Sequence, residues 1–144
     1  LERRSFLRLS GMGTCAAATG MLSLAGCASI PHVLATAGEG GWRVRKDAFA
    51  IEGKDSFRRS IIVEVQGLEA PVIVYRNGDQ DHIALLMRCT HKNAELNVSG
   101  DQLTCPAHGS AFSNSGAVLE GPASQPLKRF PVTYAGGDLV IATQ

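Results

Sequence analysis

The sequence predicts an all-β domain, built as a small antiparallel sandwich or barrel. Glycine is plentiful, at 16 residues, and aromatic side chains are few, which suits short strands joined by many turns rather than long helices. Short β-rich runs recur through residues 42–144. The turn signals Asn77-Gly78, Ser99-Gly100-Asp101 and Gly136-Gly137-Asp138 stand between them.

At 144 residues the chain allows one domain and a short extension. The extension comes first. Glu2-Arg3-Arg4-Ser5-Phe6-Leu7-Arg8 precedes a run, Leu9 to Pro31, without Asp, Glu, Lys or Arg. A basic patch before an uncharged apolar run is the layout of an export signal, and the paired arginines resemble a twin-arginine leader. Leu24-Ala25-Gly26-Cys27 resembles a lipobox, which would make Cys27 the lipidated first residue of the mature chain. Ala35-Thr36-Ala37 offers a small-residue cleavage site instead. Retention as a membrane anchor is a third outcome, because Leu9 to Ile30 just reaches the roughly 20 residues a span needs. Residues 1–27 therefore read as an export signal or membrane anchor with a lipobox-like end, residues 28–41 as a linker, and residues 42–144 as the domain.

Within the domain the expected strands are Trp42–Arg45, Ile61–Val65, Val72–Tyr75 and Ile83–Met87, with Val132–Tyr134 and Leu139–Ile141 as a closing hairpin. Between the fourth strand and that hairpin lies a long insertion, and it holds the chemistry. Cys89-Thr90-His91 and Cys105-Pro106-Ala107-His108 each begin with cysteine and end with histidine. Two loops side by side would present four ligands, with the thiolates at one end and the imidazoles at the other. Outside the leader, Cys89 and Cys105 are the only cysteines, and in an oxidising compartment they could pair as a disulfide. That pairing leaves His91 and His108 unexplained. A single zinc ion could use the same four donors, but it gains nothing from their segregation. A two-iron cluster does gain, since one iron can take both thiolates and the other both imidazoles.

This pattern resembles the Rieske [2Fe–2S] family, whose signature is C-x-H followed by C-x-x-H. Cys105-Pro106-Ala107-His108-Gly109-Ser110 is similar to the family's second loop with one substitution, and Gly121-Pro122-Ala123 with Pro126-Leu127 looks like its proline-bearing cover loop. The resemblance spans about residues 42 to 142. It implies a Rieske-type antiparallel fold with an inserted cluster-binding subdomain of two loops. It further implies one [2Fe–2S] cluster per chain, with Cys89, His91, Cys105 and His108 as metal ligands and Ser110 bonded to a bridging sulfide. Two thiolates leave the oxidised cluster formally neutral. Reduction is then easier than with four thiolates, at roughly −150 to +300 mV against about −400 mV. No residue is expected to be catalytic. The exposed histidines would couple the potential to pH.

Departures from the family pattern refine this. Where high-potential relatives carry a tyrosine donor the chain has Phe112, which implies an intermediate potential that Phe112→Tyr would raise. Ala94 and Ala107 stand where Rieske subunits of cytochrome bc complexes carry the cysteines of a loop disulfide. Lys92 follows the first histidine, where those subunits usually place an apolar residue; its charge would be costly to bury against a quinone pocket. The expected protein is an exported, periplasmic, membrane-tethered electron relay or small oxidoreductase subunit. Its partners would be redox proteins such as a cytochrome or a larger oxidoreductase subunit, with quinol possible. Alternatives are a bc-type quinol-oxidising subunit, an arsenite-oxidase-like small subunit, a cytoplasmic dioxygenase ferredoxin, and a structural zinc or disulfide domain.

The remaining features carry less. The formal net charge of +1 comes with no basic stripe, so nucleic acid is not an expected partner. Hydrolytic and phosphate-loop motifs are absent from the sequence. His32, in the linker, and His82, beside Asp79 and Asp81, read as solvated surface histidines. Arg58-Arg59 and Lys128-Arg129 read as solvated faces, with docking of an anionic partner as the other use.

Overall fold

The computed structural model describes residues 29–142; the leader, with Cys15 and Cys27, lies outside the described residues. In chain order the strands are β1 (His32–Leu34), β2 (Thr36–Gly38), β3 (Gly41–Arg45), β4 (Ser60–Glu64), β5 (Val72–Gly78), β6 (Asp81–Leu86), β7 (Asn97–Ser99), β8 (Gln102–Thr104), β9 (Ala111–Ser113), β10 (Val118–Glu120), β11 (Arg129–Phe130), β12 (Val132–Ala135) and β13 (Asp138–Ala142). A 3₁₀ turn over Lys46–Phe49 is the one helical element among the described residues. The domain is all-β, as expected.

The strands form three sheets, ordered β1-β4-β5-β6-β11, β12-β13-β3-β2 and β10-β9-β8-β7. The five-stranded sheet is the middle layer. On one face Ile61, Val63, Val72, Val74, Ala84 and Phe130 of this sheet pack with Val44, Leu139 and Ile141 of the β2–β3–β12–β13 sheet and with Phe49 of the 3₁₀ turn. On the other, Ile62, Ile73, Tyr75 and Leu85 pack with Leu96, Leu103, Phe112, Cys89 and Cys105 of the insertion. Because both faces are covered, Ile61-Ile62-Val63 and Val72–Tyr75 are unbroken apolar runs rather than alternating ones. Each large side chain buried this way contributes about 1.5–3 kcal/mol before entropy is counted.

Two readings of the sequence need correction. Residues 28–41 are not simply a linker. β1 pairs in parallel with β4, with Val33 opposite Val63, and β2 pairs antiparallel with β3, with Ala37 opposite Trp42. Strand addition to an open edge is driven by main-chain hydrogen bonds, so it leaves little trace in side-chain periodicity. Gly41 belongs to that joint. At φ +148° its missing Cβ would sit 2.0 Å from the Ile141 carbonyl oxygen, so β3 and β13 approach as closely as they do only because it is glycine.

The second correction is His82, which is buried rather than solvated. It lies in β6 between exposed Asp81 and half-buried Ile83, on the face that also carries Ala84. Its Nδ1 is 2.8 Å from the Tyr134 hydroxyl and its ring rests against Phe49. Burial, with help from Arg76 and Lys46, pushes its pKa down. His32 is exposed as expected, with its Nδ1 2.8 Å from the Glu64 carboxylate.

The insertion leaves and re-enters at one place. β6 runs out toward Cys89, and β11 returns to pair with β6, with Arg129 opposite Leu85; the Leu86 N–H donates to the Lys128 carbonyl. The subdomain between them is thus hung from two adjacent strands.

Candidate functional site

The two Cys/His segments fold into the same turn. The Cys89 N–H donates to the Ala94 carbonyl (2.8 Å), and the Asn93 N–H donates to the Cys89 carbonyl (2.9 Å). In the second loop the Cys105 N–H donates to the Ser110 carbonyl (2.7 Å), and the Gly109 N–H donates to the Cys105 carbonyl (2.9 Å). Each turn closes through a left-handed residue four positions after the cysteine, Asn93 at φ 60° and Gly109 at φ 80°. Glycine adopts that conformation freely, and asparagine is among the few other residues that tolerate it. Sequence reasoning passed over Asn93. The signal was present, since Asn93 and Gly109 hold equal offsets from Cys89 and Cys105.

The turns sort their donors by depth. Cys89 and Cys105 are buried and not bonded to each other as a disulfide. His91 and His108 are exposed, with ring centroids 4.9 Å apart and planes nearly perpendicular. Burial acts to raise the Cys105 thiol pKa. The N–H groups of His108 and Ala107 and the neighbouring Cys89 thiol outweigh it, so the net shift is downward, toward thiolate. Among the described residues no three metal-ligating side chains converge on one point as a single ion would require. The four donors are instead split two and two.

A third loop, residues 121–127, closes over these turns and is pinned to both. Thr90 Oγ1 donates to the Gln125 carbonyl (2.7 Å), and the fully buried Ser110 Oγ accepts from the Ala123 N–H (2.9 Å). The Ser110 hydroxyl proton is directed to no acceptor among the described residues, so it is free for another group. Ala123 and Leu127 are buried in the same core as the two cysteines. Phe112 is fully buried there as well.

A family model for the Rieske [2Fe-2S] domain matches residues 48–131. The chain belongs to the Rieske [2Fe–2S] family. Members of this family bind one [2Fe–2S] cluster per domain, and the donor set fits it: two buried thiols, one of them biased toward thiolate, two exposed imidazoles and an uncommitted hydroxyl proton. The chain is 32% identical to the cytochrome b6-f complex iron-sulfur subunit of Synechococcus elongatus, over 99% of this chain and 84% of that one. It is 31% identical to cytochrome b6-f complex iron-sulfur subunit 3 of Nostoc sp. strain PCC 7120, over 58% of this chain and 48% of that one. The chain thus spans about half the length of some curated relatives. Among solved structures it is similar to the cyanobacterial plasma membrane Rieske protein PetC3 from Synechocystis PCC 6803, at TM-score 0.50 and 26% identity, over 59% of this chain and 87% of that one. This membership and these relatives indicate electron transfer.

Proposed function

We propose that the protein is an exported, membrane-tethered Rieske electron relay, free-standing or the small subunit of a larger oxidoreductase. The observation that carries the reading is the sorting of donors by depth. Buried Cys89 and Cys105 would hold the inner iron, and exposed His91 and His108 the outer one, at the surface where a partner docks. When bound, the cluster supplies a one-electron centre. The chain's own residues would bind it and shield it with the residue 121–127 cover, pinned at Thr90 and Ser110. Ser110, whose Oγ accepts from the Ala123 N–H, would give its hydroxyl proton to the group. The twin-arginine-like Arg3-Arg4 and the lipobox-like Leu24–Cys27 support export and tethering at the periplasmic face.

EPR of the dithionite-reduced full-length protein tests the centre. A rhombic signal with average g below that of an all-cysteine cluster is expected. A colourless, zinc-containing protein, or a Cys89–Cys105 disulfide after anaerobic reconstitution with iron and sulfide, would overturn the reading. Intact mass of the membrane-bound form tests the tether: a chain beginning at an acylated Cys27 supports lipidation, and one that retains the Arg3-Arg4 segment excludes it.

A quinol-oxidising subunit is the second reading, favoured by similarity to a cytochrome b6-f subunit along 99% of the chain. Ala94 and Ala107, where a loop disulfide would need cysteines, and Lys92 beside His91 count against it.

A further inference from the structure

The three loops at the candidate centre, residues 89–94, 105–110 and 121–127, carry one lysine and no arginine, aspartate or glutamate. That lysine is Lys92. It follows His91 directly, and both are exposed. Elsewhere on the domain several arginines have carboxylate partners: Arg43 with Asp138, Arg59 with Asp101, Arg76 with Asp79 and Arg88 with Glu69. Arg58, Arg129 and the lysines, Lys92 included, pair with none among the described residues; what sets Lys92 apart is its place on the loops. Its backbone is fixed on both sides, by the Thr90–Gln125 hydrogen bond and by the Asn93–Cys89 turn closure. Exposed Lys128 and Arg129 follow the cover loop; Lys128 Nζ lies 5.1 Å over the Phe130 ring, which holds its charge to the flank. The carboxylates nearest in sequence, Glu95 and Glu120, lie just outside the loops.

The Lys92 ammonium, beside the exposed imidazoles, is the one charged side chain on these three loops, and it offsets the formal −1 that a reduced cluster with two thiolates would carry there. Within a Debye length of about 10 Å at 0.1 M salt, such a group attracts anionic surfaces and repels cationic ones. It also makes sealing against an apolar pocket unfavourable, because the charge would lose water without gaining a partner.

We propose that this face docks an acidic one-electron redox protein, and that Lys92 is the residue that selects it. The inference rests on the electron-relay reading above. One electron crosses between the centre and the partner; one is oxidised, the other reduced, and no bond forms or breaks.

The test is stopped-flow oxidation of the reduced, cluster-loaded full chain by two small oxidants of opposite charge. The probes are hexacyanoferrate(III), an anion, and tris(phenanthroline)cobalt(III), a cation. For the wild type the rate with the anion should fall as ionic strength rises and the rate with the cation should climb. Lys92→Glu should slow the anion about tenfold at low salt and speed the cation. Lys54→Glu changes net charge equally on the turn before β4, and should leave both rates near wild type. Carbodiimide coupling of hexaglutamate, mapped by mass spectrometry, gives a readout independent of redox: Lys92 should couple ahead of Lys46 and Lys54. Equal salt dependence for both probes, or equal effects of Lys92→Glu and Lys54→Glu, would overturn this inference while leaving the centre intact. Loss of the rhombic EPR signal in the starting wild-type protein would instead overturn the reading on which it rests.

Discussion

Asn93 and Gly109 do the same conformational work, and only one is glycine. A left-handed residue costs roughly 1–2 kcal/mol for most side chains, so Asn93→Gly should be neutral and Asn93→Val should destabilise by about that amount, read by thermal unfolding. An equal cost for both variants would place the importance of Asn93 in its side chain rather than its backbone. Phe112 is fully buried in the core that contains both cysteines. A hydroxyl added there can donate to a cysteine sulfur, so Phe112→Tyr should raise the reduction potential, as followed by protein-film voltammetry; an unchanged value would mean the new hydroxyl points elsewhere. The four donors were legible in the sequence because their chemistry is written in residue type and spacing. Asn93 was harder to see, since a left-handed turn has no side-chain chemistry to announce it.

At the scale of elements, Ala94 and Ala107 leave the two cluster loops without a disulfide between them, and the cover loop bridges them through two hydrogen bonds, Thr90 to Gln125 and Ala123 to Ser110. A single exposed hydrogen bond contributes about 0.5–1.5 kcal/mol. Thr90→Val removes the Thr90–Gln125 clasp while keeping side-chain shape. Cluster loss to a chelator, followed by visible absorbance, should quicken several-fold, on the order of what 1 kcal/mol implies; an unchanged rate would mean the Ser110–Ala123 clasp alone suffices. The strands with apolar runs, β4, β5 and β6, were legible because burial on two faces demands such runs. β1 and β2 were not, because Thr36 to Gly38 and their neighbours are recruited by main-chain pairing with existing edges. The hairpin of β12 and β13 was legible from Gly136-Gly137, where the turn chemistry is explicit.

At the scale of the whole molecule, the middle sheet separates two cores. One contains the cysteines, and the other contains His82 and the closing hairpin. His82 shows how the second responds to pH. Its native pKa is depressed by burial first and by Arg76 and Lys46 next, while in the unfolded chain it returns to about 6.5. Below that pH the unfolded state takes up a proton that the native state resists. The contribution to stability is therefore complete above about pH 6.5 and declines as the pH falls toward the depressed native value. Melting temperature against pH should show this acid-side fall in the wild type, and His82→Gln should flatten it. A parallel fall in both proteins would assign the effect to other groups.

The sequence by itself determined the chemistry of the site and the all-β class. Ligand types, their order and the strand-forming runs are local properties, and local properties survive in one dimension. The tertiary structure alone decided depth and company. It made Asn93 the twin of Gly109, and turned His82 inward and an apparent linker into two edge strands. Those outcomes depend on which sheet lies across from which, and that is set by packing between segments far apart in the chain.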